Sequence, residues 1–185
     1  MSKPTSSGKA KQKREEKRRE DMPNTYTQLY VHVVFAVQGR GNCITIQWKE
    51  KLFQYITGII TNKNQKLMII NGMTDHLHLL IGYKSDCNLS DLIRDIKSNS
   101  SKWINESRWV VGKFEWQAGF GAFTVGQYQI KTVVNYILEQ EKHHRKKSFK
   151  EEYIEFLNAY KIDFKPEYIF DDYGAAPLEP GNNDR

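Results

Sequence analysis

The order of periodicities along the chain restricts its fold most. Residues 26–37, YTQLYVHVVFAV, alternate with period two. Thr27, Leu29, Val31, Val33, Phe35 and Val37 share one largely apolar face, and Tyr26, Gln28, Tyr30, His32 and Val34 share the other, because successive strand side chains point to opposite sides. The period then becomes helical: Trp48, Leu52, Phe53, Ile56, Ile59 and Ile60 recur on one stripe. Residues 67–70 and 76–83 read as two strands joined through Asn71, Gly72, Met73 and Thr74. Leu89, Leu92, Ile93, Ile96 and Trp103 mark a second helix, with Asn88 or Ser90 as its N-cap. Residues 114–123, interrupted by Gly119 and Gly121, predict a final strand and a tight bend.

A third helix is expected over about 126–144, with Ile130, Val133, Val134, Ile137 and Leu138 on its apolar face. Ser148 and Glu151 form a capping box opening a fourth, which turns Tyr153, Phe156, Leu157 and Tyr160 inward. The order β-α-β-β-α-β followed by two helices predicts an α+β fold. Its core is a ferredoxin-like split β-α-β with a four-stranded antiparallel sheet, and two C-terminal helices follow. Helices cover one sheet face, the other is left open, and the first and third strands lie at the centre.

A chain of 185 residues suits one domain. Residues 1–21 carry eight Lys/Arg, four Asp/Glu and no apolar periodicity, so they read as a disordered basic extension. The domain is expected over 22–170, with a flexible acidic tail over 171–185. The net charge of +6 permits phosphate contacts, but a solvated surface accounts for it equally well. No apolar run reaches the ~20 residues of a membrane span. Cys43 and Cys87 fit no metal-ligand or redox spacing, as in a reduced, cytoplasmic protein.

Two patterns carry chemistry. His76 and His78 stand two apart in DHLHLLI, so strand alternation puts both imidazoles on one face while Leu77, Leu79 and Ile81 face the core. Neutral imidazoles so placed can share a divalent cation, although His-x-His is also an ordinary solvent-facing strand. Tyr136 and Gln140 lie at i and i+4, on one side of the third helix. A Gln amide oxygen is a serviceable third ligand, and a phenol one turn away can approach the same ion. His143, a further turn along, is positioned to assist, though a surface histidine has the same spacing.

These motifs, with YVHVVF near the start, WQAGFG at 116–121 and YILEQ at 136–140, resemble the single-tyrosine HUH transposases of the smallest bacterial insertion sequences, including domesticated relatives. The resemblance covers about residues 24–170. It implies metal ligands His76, His78 and Gln140, the nucleophile Tyr136, and Mg²⁺ or Mn²⁺ as cofactor. It also implies cleavage and rejoining of single-stranded, hairpin-containing DNA through a 5′-phosphotyrosine intermediate. The implied assembly is a homodimer, often with Tyr136 of one subunit serving the histidines of the other. Zn or Ni would suit the imidazoles equally well.

His32, on the polar face of the first strand beside the proposed metal strand, is a candidate for a DNA contact or for supporting the metal ligands from behind, with a structural role the plainer reading. Arg94, Lys97 and Lys102 are DNA-contact candidates off the apolar stripe of the second helix, where solvated charges are the plainer reading. Trp116, Phe120 and Phe123 offer rings for unpaired bases, with core packing the stronger alternative. Two rival functions remain at this level. One is a non-catalytic single-stranded nucleic-acid binder on an open sheet; the other is a relaxase or replication-type nuclease with the same two histidines. The outward histidine pair favours metal chemistry over the first. Chain length and the order of histidines before tyrosine favour the transposase-like group over the second.

Overall fold

The computed structural model describes residues 26–39, 44–165 and 169. The expectations for residues 1–21 and 171–185 therefore lie outside the described residues. Four strands form one antiparallel sheet in the order β2-β3-β1-β4, where β1 is Leu29–Ala36, β2 Lys66–Gly72, β3 His76–Tyr83 and β4 Gly121–Thr124. The two alternating strands of the sequence, β1 and β3, are central neighbours as expected, with Val34 opposite His78 and Ala36 opposite His76.

The first face packs against α1 (Ile46–Asn62) and α2 (Leu89–Glu106). Val31, Val33 and Phe35 of β1 and Leu77, Leu79 and Ile81 of β3 meet Trp48, Leu52, Ile56 and Ile60 of α1 and Leu92, Ile93 and Ile96 of α2 in one buried cluster. The Asn88 side chain caps α2 by accepting from the Asp91 N–H. No helix among the described residues is long and apolar enough to cross a membrane.

Three features depart from the sequence reading. The last strand is four residues long, and most of 114–120 is irregular, touching the sheet through a Val37–Trp116 bridge. The third helix is broken. A 3₁₀ turn at Gln127–Gln129 leads into α3 (Ile130–Leu138), and a short α4 (Gln140–His144) follows. Asn71 of β2 explains the break: its Nδ2 donates to the carbonyls of Ile137 (2.8 Å) and Leu138 (3.2 Å). Those oxygens are among the ones a helix end leaves without internal partners.

The third departure matters most. The second sheet face, expected open, is covered by α3 and by α5 (Phe149–Ala159). Leu80 and Val125 pack against Ile137, while Val34, Ala36 and Phe123 pack against Phe149, Tyr153 and Leu157. The capping box expected at Ser148 and Glu151 is present at the start of α5. Gly121 lets α5 come close: a Cβ there would stand 2.7 Å from the Tyr153 ring.

The turn that aims His76 depends on Gly72. A Cβ at this position would lie 2.2 Å from the His76 carbonyl oxygen and 2.8 Å from the Leu77 Cα. Gly72→Ala is expected to destabilise the fold by about 1–3 kcal/mol in urea unfolding. An unchanged midpoint would contradict this account of the turn.

Candidate metal and nucleophile site

β3 brings the two histidines to the second face on alternate residues, and the C-terminal helices close over them. His76, His78 and Gln140 are fully buried, and Glu152 is 5% exposed. α5 presents Phe149, Glu152 and Phe156 to the strand. The Phe149 ring stacks on His76 at 4.1 Å between centroids, and Phe156 meets His32 edge-on at 5.2 Å.

Glu152 is the meeting point. Its Oε1 accepts hydrogen bonds from the Tyr136 hydroxyl and from Gln140 Nε2, the latter at 3.0 Å. Its Oε2 lies 3.2 Å from His144 Nε2, 3.4 Å from His78 Nε2 and 3.9 Å from His76 Nε2. Gln140 Oε1 joins the same group, 3.0 Å from His144 Nε2 and 3.4 Å from His76 Nε2.

The far nitrogen of each imidazole is engaged. His76 Nδ1 meets the Asp75 carboxylate at 2.8 Å, and His144 Nδ1 meets the Lys147 carbonyl at 3.1 Å. His78 Nδ1 meets His32 Nε2 at 3.0 Å. Such outer partners fix the tautomer and aim the Nε2 lone pair of a ligating histidine.

Burial sets the charge state. It pushes the imidazoles of His32 and His144 down to about 4, with the charge of His76 adding to the effect at His144. Burial, followed by the neighbouring histidines, drives His78 well below the usual histidine range. Burial also pushes the Glu152 carboxyl up to about 8, with Asp75 and Glu155 adding to it. Asp75 goes the other way. Burial works to raise it, but the hydrogen bond and charge of His76 hold it below its ordinary value.

His76, His78, His144 and Glu152 each offer a ligand atom, all within 4.8 Å of one another. His78 Nε2 and Glu152 Oε2 are buried without a hydrogen-bond partner. Buried polar atoms left unmade are costly, and a cation between them satisfies both. The donor set therefore fits a divalent metal.

Of the sequence-derived candidates, the fold gathers Tyr136, His76, His78 and Gln140. Tyr136 stands beside the histidines of its own chain, its ring 6.0 Å from that of His78. His32 is 3% exposed and stacks on His78 at 5.2 Å, the supporting position behind the strand histidines that is one of its expected roles. Arg94, Lys97 and Lys102 sit on α2, across the sheet from the cluster. Arg94 and Lys102 are exposed and paired with Asp91 (2.7 Å) and Glu106 (3.8 Å). Lys97 Nζ donates to the carbonyls of Gln117 (2.5 Å) and Gly119 (2.6 Å), which ties down the irregular segment. Trp116 and Phe123 are core residues. The covered second face also removes the open sheet that a non-catalytic single-strand binder would use.

Sequence reasoning missed Glu152 and His144. Both left a signal. Glu152 is a carboxylate inside the apolar stripe of α5, between Phe149 and Phe156, and His144 continues the four-residue spacing of Tyr136 and Gln140.

Residues 25–140 match the family described as "Transposase IS200 like". Among solved structures, the chain is similar to a protein of Deinococcus radiodurans R1 assigned as a transposase. The TM-score is 0.52 at 20% identity, over 65% of this chain and 96% of that one. It is also similar to a REP-associated tyrosine transposase bound to a REP hairpin, with a TM-score of 0.52 at 14% identity, over 67% of this chain and 73% of that one. At these identities the likeness is one of fold. No curated protein sequence matches the chain.

The buried imidazoles make stability in chelator sensitive to acid. The unfolded chain binds protons at His32, His78 and His144 below about pH 6.5, whereas the folded chain resists until about pH 4 at His32 and His144, so stability falls as pH drops through that window. Glu152, raised to about 8, has the opposite sign and adds stability as pH falls from there toward its unfolded value. The expected profile from urea unfolding in chelator is a maximum near about pH 6.5 with a decline on the acid side. Equal stability at pH 7 and pH 5 would contradict it.

Proposed function

This chain belongs to the IS200-like transposase family, and from that membership we propose that it cleaves and rejoins single-stranded DNA at the buried site. Tyr136 is the nucleophile, and His76, His78 and Gln140 are ligands of a divalent metal, Mg²⁺ or Mn²⁺. The convergence of these groups on one carboxylate carries the reading. The Tyr136 hydroxyl and the Gln140 amide donate to Glu152 Oε1, and Oε2 faces the Nε2 of both strand histidines. An ordinary helix-edge tyrosine and a solvated glutamine would not meet in this way.

Attack by the Tyr136 oxygen forms a bond to phosphorus and breaks the bond to the adjoining 3′ oxygen. The products are a 5′-phosphotyrosine and a free 3′ hydroxyl. A second 3′ hydroxyl then displaces the tyrosine, so the ester bond's energy is conserved. A divalent metal bound at the histidines would polarise the scissile phosphate and stabilise the charge that develops on it. The chain's own part is positional. His32 and Asp75 orient the imidazoles, and the phenol hydrogen is held by Glu152 while α5 is docked. With the histidines and Gln140 fully buried, a phosphodiester reaches their ligand atoms only when α5 shifts.

The REP hairpin held by a structural neighbour supports hairpin-containing DNA as the substrate. On α2, the exposed Arg94 lines a cleft of about 500 Å³ with Phe120, which offers a guanidinium and a ring to a strand. One tyrosine handles one DNA end at a time, so joining two ends calls for a homodimer, each subunit using its own Tyr136.

Incubation with hairpin-bearing single-stranded DNA and Mn²⁺ is expected to yield a covalent protein–DNA adduct on a denaturing gel. Tyr136→Phe keeps the ring and loses the oxygen, so the adduct should vanish. An adduct that persists would move the role elsewhere, first to Tyr128, which is 98% exposed.

A further inference from the structure

We propose that His144 and Glu152 are ligands of the same metal as His76, His78 and Gln140. The centre is then three imidazoles, one amide and one carboxylate, a set that selects a transition-metal dication over Mg²⁺. This rests on the reading that His76 and His78 hold a divalent metal.

The argument starts from hydrogens. Asp75 and the Lys147 carbonyl only accept, so His76 Nδ1 and His144 Nδ1 must donate to them. A neutral imidazole carries one N–H, so the Nε2 of each presents a lone pair. His78 Nδ1 lies against His32 Nε2, where either ring can donate, and its own Nε2 is buried with no hydrogen-bond partner. Gln140, with Nε2 given to Glu152 Oε1, presents its amide oxygen. Glu152 Oε2 has no hydrogen-bond partner.

Four lone-pair atoms and the unpartnered Nε2 of His78 thus face one another. Such a gathering needs a cation or a shared proton inside it, and a divalent cation can meet all of its members at once. The spacings suit one: Glu152 Oε2 lies 3.2, 3.4 and 3.9 Å from the Nε2 atoms of His144, His78 and His76. In a five-coordinate site with bonds of about 2.0–2.2 Å, ligand–ligand separations run from about 2.8 to about 4.4 Å.

The chemistry of the set decides the ion. Imidazole suits transition metals such as Fe, Ni, Cu and Zn, with affinity rising from Mn²⁺ through Co²⁺, whereas Mg²⁺ takes oxygen ligands and keeps several waters. Three nitrogens in a site this dry leave Mg²⁺ poorly served. The carboxylate supplies the one negative charge in the set, and it sits on α5. A docked α5 therefore closes the centre, and an incoming phosphate oxygen is the natural replacement for Glu152 when the helix shifts.

Isothermal titration of the full-length protein, freed of metal by chelator, with Mn²⁺, Co²⁺ and Mg²⁺ tests this without reference to activity. Wild type is expected to bind one Mn²⁺ or Co²⁺ more tightly than Mg²⁺. Glu152→Gln, which keeps size and hydrogen bonding, and His144→Ala should each weaken Mn²⁺ binding by more than about tenfold and change the visible absorption of the Co²⁺ form. Glu152→Asp should restore part of the affinity, which a purely structural role would not do. If both variants bind Mn²⁺ as wild type does while His76→Ala loses it, His144 and Glu152 are not ligands and the histidine-pair site stands. If wild type binds none of the three ions, the inference and the metal-dependent reading beneath it both fail.

Discussion

Glu152, one carboxylate in a dry site, links the three C-terminal helices α3, α4 and α5 to the central strand β3. It takes hydrogen bonds from Tyr136 on α3 and Gln140 on α4, and it faces imidazoles from β3 and α4. Burying such a group costs several kcal/mol unless hydrogen bonds and opposite charge compensate it. Here two donors satisfy one oxygen, while the other faces three imidazoles with no hydrogen-bond partner. Around this contact the apolar residues of α5 close the second face, so helix docking and site assembly are one event.

The preparations for that event lie far apart in the chain. Gly72 tightens the turn that starts β3 at His76. Asn71, on the neighbouring strand, takes the carbonyls that end α3 and lets α4 turn Gln140 and His144 inward. The Ser148–Glu151 box starts α5 so that Glu152, the next residue, points at the sheet. Each is a local backbone or capping device, and together they aim five side chains at one place.

How much of this was legible follows from the range of each interaction. The alternation at 26–37 and 76–83 is local, so the central strands, the shared face of His76 and His78 and the inward Leu77, Leu79 and Ile81 could all be read directly. The capping box at Ser148 is equally local. The covered second face could not be read the same way. Alternation separates polar from apolar residues, and it assigns histidines to solvent when their partners are far along the chain. His32 and His78 meet across 46 positions, and Asn71 breaks a helix 66 positions away. The short β4 reflects the same limit: Lys97 and the Val37 bridge hold residues 116–119 outside regular pairing. Glu152 was within reach, since a carboxylate in an apolar helix stripe needs a partner.

The central claim is that the two strand histidines and Tyr136 form one metal-dependent site. A crystal grown with Mn²⁺ and measured at the manganese absorption edge tests it most directly. The account predicts an anomalous peak bonded to the Nε2 atoms of both His76 and His78, at about 2.0–2.3 Å, on the side facing Tyr136. Manganese bound elsewhere on the protein, with His76 and His78 bare, would contradict it.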